Sequence, residues 1–579
     1  MLRLSRNGRN WKRSLVKAKR IGEVSPLVKS DAKNPELIPR GFARLLDHSQ
    51  DSLRHIQWLW KKDILGQDSF LIGPPGPRKR WLALASAELS NREVEYLSLS
   101  RDTTETDIKQ RREIIDGNAV YKDAAAIRAA VNGRILVLDG IERCERNVLP
   151  VLNNLLENRE VQLEDGRFLM APSRWDHLVK TGSPEQMVEA GLIRVDEYFR
   201  VIALGLPVPM FKGAPLDPPL RSRFQARQIE HSKYHDIKNI TEASQKESLS
   251  KLLDVGYAIN SPEARKLGAG VFPVDMVPRL SPLMNECHTP FALFDRLYPY
   301  ESGMLTDSSV KSVNGLLASD KLDLPRERHH LSVQSINFDN EKAEINVSGK
   351  TGLMSKAEQS FSMPSAASKS SEVNQDRLFY PTGGRQHQLV DILASLSVGD
   401  VALIGNRGVG KQTLANEAAR LLGLKVEPVL LYQDMSARDL LQQRVTDDKG
   451  DTIWRYSPLV NAAIEGRIAI IDGLDRLFPG TLALLNRLTQ DREISLHDGT
   501  RLVSAETFAE MLSEQKISPA ELNEKGIIEI HPAFKIIALA EPPTSKTQWL
   551  TPEIVPGFLW HQERVKEKLY LFIALVCIL

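Results

Sequence analysis

Val401-Ala-Leu-Ile-Gly-Asn-Arg-Gly-Val-Gly-Lys-Gln-Thr413 decides how this chain is read. Val401 to Ile404 is an unbroken apolar run, as expected of a strand buried on both faces. Gly405 to Lys411 fits the phosphate-loop pattern G-x-x-x-x-G-K, and Leu414-Ala-Asn-Glu-Ala-Ala-Arg-Leu-Leu422 follows with helical spacing. Strand, glycine loop and helix supply what a phosphate needs: backbone N–H groups that curl around it, a helix N-terminus, and a lysine reaching the β- and γ-phosphates. The candidate nucleotide contacts are Gly405, Asn406, Arg407, Gly408, Val409, Gly410, Lys411, Gln412 and Thr413. The position that usually carries a hydroxyl for Mg²⁺ is Gln412, and Thr413 comes one residue late. The loop therefore implies ATP binding without implying hydrolysis.

A chain of 579 residues with 42% hydrophobic content is long enough for three to five domains with real cores. Cys144, Cys287 and Cys577 lie far apart and form no metal-ligand spacing, which reads as free thiols in a reducing compartment. The net charge of +2 is unevenly placed: Arg3, Arg6, Arg9, Lys12, Arg13, Lys17, Lys19 and Arg20 crowd an acid-free leader. The rest of the chain is slightly acidic, which argues against broad nucleic-acid affinity.

A second loop precedes the first in the chain. After the apolar Phe70-Leu-Ile72 comes Gly73-Pro-Pro-Gly-Pro-Arg-Lys-Arg80. Gly73, Pro74, Pro75, Gly76 and Lys79 keep the phosphate-loop frame, but Arg78 takes the last glycine's place and Arg80 the hydroxyl's. A side chain at that glycine intrudes where backbone meets phosphate, so either Arg78 contacts phosphate as a charge or the loop has lost its ligand.

The two loops head a long repeat. Gly133-Arg-Ile-Leu-Val-Leu-Asp-Gly-Ile-Glu-Arg143 matches Gly466-Arg-Ile-Ala-Ile-Ile-Asp-Gly-Leu-Asp-Arg476, and Glu157 to Gly166 matches Gln490 to Gly499, both at an offset of 333. Phe199-Arg-Val-Ile-Ala-Leu204 matches Phe534-Lys-Ile-Ile-Ala-Leu539 at 335. The chain is two copies of one module. The runs ending in Asp139 and Asp472 are buried parallel strands whose acids stand where open α/β sheets gather ligands, so both are candidates for Mg²⁺, with Thr413. Asp165-Gly166 and Asp498-Gly499 mark hairpins. Ala124 to Val131 and Leu459 to Ile464 read as helices covering the sheet.

Loop, acid strand, helix, hairpin and further strand, in this order, resemble the AAA+ ATPases, in particular their dynein-related and MoxR-like branch. The resemblance covers about 40–300 and 375–560. Asp102-Thr-Thr-Glu-Thr-Asp-Ile108, Asn147 to Met170, Phe199 to Pro209, Leu216 to Arg227 and His531 to Pro543 are its most specific segments. They look most like a mitochondrial member whose chain continues into more modules and a von Willebrand A domain. The resemblance implies tandem phosphate-loop modules with a parallel sheet flanked by helices and a helical lid after the first. It also implies ATP and Mg²⁺ as ligands, and a ring formed with itself or with other AAA+ modules. Work on a protein client in the mitochondrial matrix follows from it, with no membrane span and no nucleic acid. It places an arginine finger at Arg223, with Arg221 as a near substitute. The glutamate that orients water in hydrolysing members is Gly140 and Gly473 here, with Glu142 and Asp475 two residues on as candidate catalytic acids. The polar sensor is Leu206 in one module and Glu541 in the other. A non-catalytic nucleotide-binding scaffold is therefore the alternative to an ATPase, hydrolysis then residing in downstream modules.

The expected layout is a presequence over 1–30, a first core over 40–224 and a helical lid over 225–325. Short strands and a Ser-rich linker follow over 326–376, with Ser355 to Asn374 read as flexible because it lacks any apolar period, then a second core over 377–560. The apolar stretch in 561–579 is too short to cross a membrane and reads as a truncated terminus.

Overall fold

The computed structural model describes residues 25–27, 32–46, 49–180, 182–242, 247–283, 290–319, 330–339, 342–351, 355–364, 379–544 and 548–563. The basic leader, residues 365–378 and the terminal stretch from 564 fall outside these. The chain forms two compact units. One gathers the described residues up to 232 with 444–455 and 509–527; the other gathers those of 233–443, 456–508 and from 528 on.

The first unit is built on helix α1 (Gln50–Ile64), strand β1 (Ser69–Ile72), helix α2 (Arg78–Leu89) and strands β2 (Val94–Ser98), β3 (Ile135–Asp139), β4 (Arg200–Gly205) and β5 (Gln225–Gln228). The strands lie all parallel in the order β5-β1-β4-β3-β2. The unbroken apolar runs of β3 and β4 are what a strand covered by helices on both faces requires: Leu136, Val137, Leu138, Val201 and Ala203 are all buried.

The second unit contains lid helices α3 (Glu247–Ile259) and α4 (Pro290–Leu297), then α5 (Gly383–Val398), β6 (Val401–Gly405), α6 (Lys411–Leu421), β7 (Val426–Leu430), β8 (Ile468–Asp472), β9 (Lys535–Ala540) and β10 (Leu559–Glu563). Its sheet runs β10-β6-β9-β8-β7, the same topology strand for strand. The duplication seen in sequence is a duplication of fold.

One clip recurs in both sheets. Asp68, just before β1, accepts from Val201 N of β4 at 2.8 Å and pairs with Arg159 at 2.9 Å, while its carbonyl receives Gln225 N of β5. Asp400, just before β6, accepts from Ile536 N at 2.9 Å and takes Arg492 in both carboxylate oxygens at 2.6 and 2.8 Å; its carbonyl receives Leu559 N. Each arginine lies over the phenylalanine just before the fourth strand, Arg159 over Phe199 at 5.0 Å and Arg492 over Phe534 at 5.4 Å. A single buried aspartate, through its carboxylate and its carbonyl, thus registers the first, fourth and fifth strands.

Three expected boundaries move. Gln225–Gln228 belongs to the first sheet as its edge strand, so the lid begins later than 225. Likewise β10 carries the second core to Glu563. Ser355–Pro364, expected as flexible linker, is the third strand of an antiparallel sheet with His330–Asp339 and Lys342–Thr351. The alternation there puts Phe361 and Met363 on one face, and both join a buried cluster with Leu389 and Leu393 of α5. The lid follows the first core in sequence yet packs with the second: Arg296 of α4 donates to Asp391 of α5 at 2.7 Å, and Phe272 stacks on Phe294 at 5.3 Å beneath Tyr298.

Removing one partner of a buried pair leaves an uncompensated charge. Arg492→Ala is expected to lower the unfolding free energy of the second unit by about 3–5 kcal/mol, read by urea denaturation.

Candidate functional site

At the carboxyl end of β6, the second loop has the shape its sequence requires. Gly408 and Gly410 adopt φ of 79° and 92°, left-handed values that a side chain would resist, and Gly410 caps α6. Lys411 Nζ donates back to the carbonyls of Gly405 at 2.5 Å and Asn406 at 2.9 Å, which bends the loop around the lysine. Asn406, Arg407, Gly408 and Gln412 are exposed, Val409 and Thr413 half-buried.

Asp472 ends β8, one strand away from the loop, since β9 lies between β8 and β6. Among the described residues it makes no ion pair. Asp472, with the exposed amide of Gln412 and the hydroxyl of Thr413 at the start of α6, supplies oxygen donors of the kind Mg²⁺ prefers. The second module's residues therefore fit a Mg²⁺–nucleotide.

The first loop keeps the lysine and little else. Lys79 Nζ donates to Gly73 O at 2.9 Å and Pro74 O at 2.5 Å, repeating the Lys411 arrangement. Gly76 is left-handed at φ 137°, but α2 starts directly at Arg78. Pro75, Arg78, Lys79 and Arg80 are buried, and Pro74 and Gly76 half-buried. Arg78 does not reach for the loop: it donates to Ser232, to Ser52 Oγ at 3.2 Å and to Asp51 Oδ2 at 3.4 Å. Asp139 ends β3 as expected, yet Tyr96 donates its hydroxyl to Oδ2 at 2.6 Å and Arg80 Nη1 lies 4.0 Å from that oxygen. Burial pushes the Asp139 carboxyl up; Arg143, Arg80, the Tyr96 hydroxyl and Lys79 outweigh it and hold the group below the usual carboxylate range. Its charges are already matched, and the first module's residues do not fit Mg²⁺.

Glu142 and Asp475 have the same task in both modules. Glu142 Oε2 accepts Leu206 N at 3.2 Å, and Asp475 Oδ1 accepts Glu541 N at 3.1 Å. Each carboxylate fastens the turn after the third strand to the end of the fourth. Gly140 and Gly473 stand at φ 83° and 89°. A Cβ on Gly140 would lie 2.8 Å from Arg143 Nη1, and one on Gly473 3.0 Å from Arg476 Cδ. In both modules an arginine side chain occupies the space that a side chain at this glycine would enter.

A family model for the AAA domain of the dynein-related subfamily matches residues 68–224 and again 400–556. This chain belongs to that AAA family. The two matches begin at the aspartate clips, Asp68 and Asp400. Von Willebrand factor A domain-containing protein 8 of Mus musculus is 44% identical over 562 residues, covering 93% of this chain and 29% of that protein. Protein NorQ of Paracoccus denitrificans is 30% identical over 125 residues, 22% of this chain and 46% of its own. Protein CbbQ of Hydrogenophilus thermoluteolus is 28% identical over 141 residues, 24% and 43% of the two chains. The chain thus spans under a third of the mouse relative and under half of the bacterial ones.

Within this AAA pair, Arg223 and Arg221 have different fates. Arg223 is held inside its own module, donating to Pro219 O and to Glu157. Arg221 is exposed on the same short helix and makes no ion pair among the described residues. Glu541, the residue just past β9, pairs with Arg407 of the loop at 2.5 Å. Sequence reasoning missed Arg385, on the first turn of α5, whose Nη2 would lie 3.0 Å from a Cβ on Gly410. At the matching place in the first module the arginine is on the loop (Arg78) and the helix carries Ser52. Aligning the two helices of the repeat would have revealed this exchange.

Gly473→Glu tests the filled glutamate position. A side chain at φ 89° costs about 1–2 kcal/mol. The variant is expected to melt lower than wild type and to gain no ATP turnover in a phosphate-release assay.

Proposed function

We propose that the second module is the chain's nucleotide site and holds ATP with Mg²⁺. The observation that supports this most directly is the pairing of an intact glycine loop around Lys411 with an unengaged Asp472 one strand away. Backbone N–H groups of Gly408 to Thr413 and the α6 N-terminus would cradle the phosphates, with Lys411 on the β- and γ-phosphates. Gln412, Thr413 and Asp472 would hold Mg²⁺, which neutralises phosphate charge when bound. Gly405, Asn406, Arg407 and Val409 line the same loop.

In this reading nucleotide occupancy moves the second core against neighbouring AAA modules in a ring, of this chain or of others, and so does conformational work on a protein client. Exposed Arg221, rather than Glu157-bound Arg223, would then be the arginine that reaches a neighbour's nucleotide. The Arg-rich, acid-free leader supports a mitochondrial setting, the matrix being the compartment it would lead to.

A second reading has its own support: the chain is a scaffold that binds ATP without turning it over. With Gly140 and Gly473 in place of the glutamate, and Glu142 and Asp475 engaged by backbone amides, neither acid is left free to orient water. Hydrolysis would then belong to modules outside this chain, which spans 29% of its mouse relative.

Binding of a fluorescent ATP analogue in Mg²⁺ separates these from no binding at all. Lys411→Ala is expected to weaken binding at least about tenfold, the loss of roughly 1.4 kcal/mol or more of phosphate contact. Lys79→Ala is expected to leave it unchanged. Equal loss in both variants would contradict a single site in the second module.

A further inference from the structure

The first module carries a cation of its own. Arg80 occupies the position from which a phosphate loop normally offers Mg²⁺ a hydroxyl, and its side chain is 7% exposed. Its guanidinium faces Asp139, the acid that would otherwise serve the metal, and Tyr96 donates to the same Asp139 oxygen at 2.6 Å. Nothing comparable occurs in the second module, where Gln412 is exposed and Asp472 makes no ion pair among the described residues. The neighbouring positive charge is matched in the same way, because Arg78 pairs with Asp51 at 3.4 Å. The start of the loop packs on the edge strand: a Cβ on Gly73 would lie 2.3 Å from Ile229 O, the residue just past β5.

These contacts replace a metal's function with side chains. A divalent cation at a phosphate loop offsets negative charge between the strand acid and the phosphates. Arg80 brings a fixed positive charge to that strand acid, and a second cation there would meet Arg80, Lys79 and Arg143 at close range.

We infer that the first module is metal-free by construction: Arg80, paired to Asp139, stands in for the divalent cation, so no metal binds at that loop whether or not nucleotide is present. The first module then has no metal to gain or lose and keeps one state at its loop. This inference concerns the other loop and does not rest on ATP binding at Lys411.

The test uses the full chain carrying Lys411→Ala, which silences the second loop, with Mn²⁺ as a paramagnetic probe. Electron paramagnetic resonance is expected to find no protein-bound Mn²⁺ above the level of the Asp139→Asn, Lys411→Ala double variant, with or without ATP. Thermal unfolding supplies an independent arm. Adding Arg80→Ser to Lys411→Ala is expected to lower the melting temperature of the first unit by about 5 °C. Mn²⁺ is then expected to restore part of that loss, because Asp139 is freed. A bound Mn²⁺ that disappears with Asp139→Asn would overturn the inference, as would an Arg80→Ser variant that melts with its parent. Loss of ATP binding in the wild-type chain would instead refute the reading of the second loop and leave these outcomes unaffected.

Discussion

The structure depends on a buried aspartate at the entrance to the first strand of each sheet. Asp68 and Asp400 each accept a backbone N–H from the fourth strand and an arginine from the hairpin region, and pass their carbonyl to the fifth strand. Isolated at 3% and 2% exposure, either carboxylate would be costly to bury; paired and hydrogen-bonded, it becomes a registration device. With the strands fixed at one end, their other ends deliver the glycine loop and the strand acid side by side. That is why two modules with different chemistry share one topology.

Divergence is confined to the carboxyl ends of the strands. The same lysine bends both loops, and the same acid two residues past the glycine fastens the third strand's turn to the fourth strand. What differs is where positive charge sits. In the first module arginines at 78 and 80 are on the loop helix itself and are matched by Asp51 and Asp139. In the second, Gly410 and Gln412 leave those positions empty of charge, and Arg385 approaches from the preceding helix. One copy has internalised its counterions; the other keeps them available for a ligand.

The fold was legible in the sequence wherever residues close together in the chain carry the signal: apolar strands ending in Asp139 and Asp472, glycine loops, and Asp-Gly hairpins. Strand β5, Gln-Ala-Arg-Gln, was not, because a polar four-residue edge strand has neither an apolar run nor alternation to mark it. Ser355–Pro364 was hidden by its serines, although Phe361 and Met363 alternate correctly for one buried face. The site was half legible. Positions of Lys411, Asp472 and the two defective residues Arg78 and Arg80 could be read by motif. The engagement of Arg80 with Asp139, of Arg78 with Asp51, and of Glu142 and Asp475 with backbone amides could not, since each joins segments tens of residues apart or depends on a left-handed glycine turning the chain.

A duplicated fold with one open site makes a numerical demand. Isothermal titration of the full chain with ATP in Mg²⁺ should give a stoichiometry of one per chain. A stoichiometry of two would contradict the account, because the first loop, with Arg78 on Asp51 and Arg80 facing Asp139, would then be taking nucleotide as well.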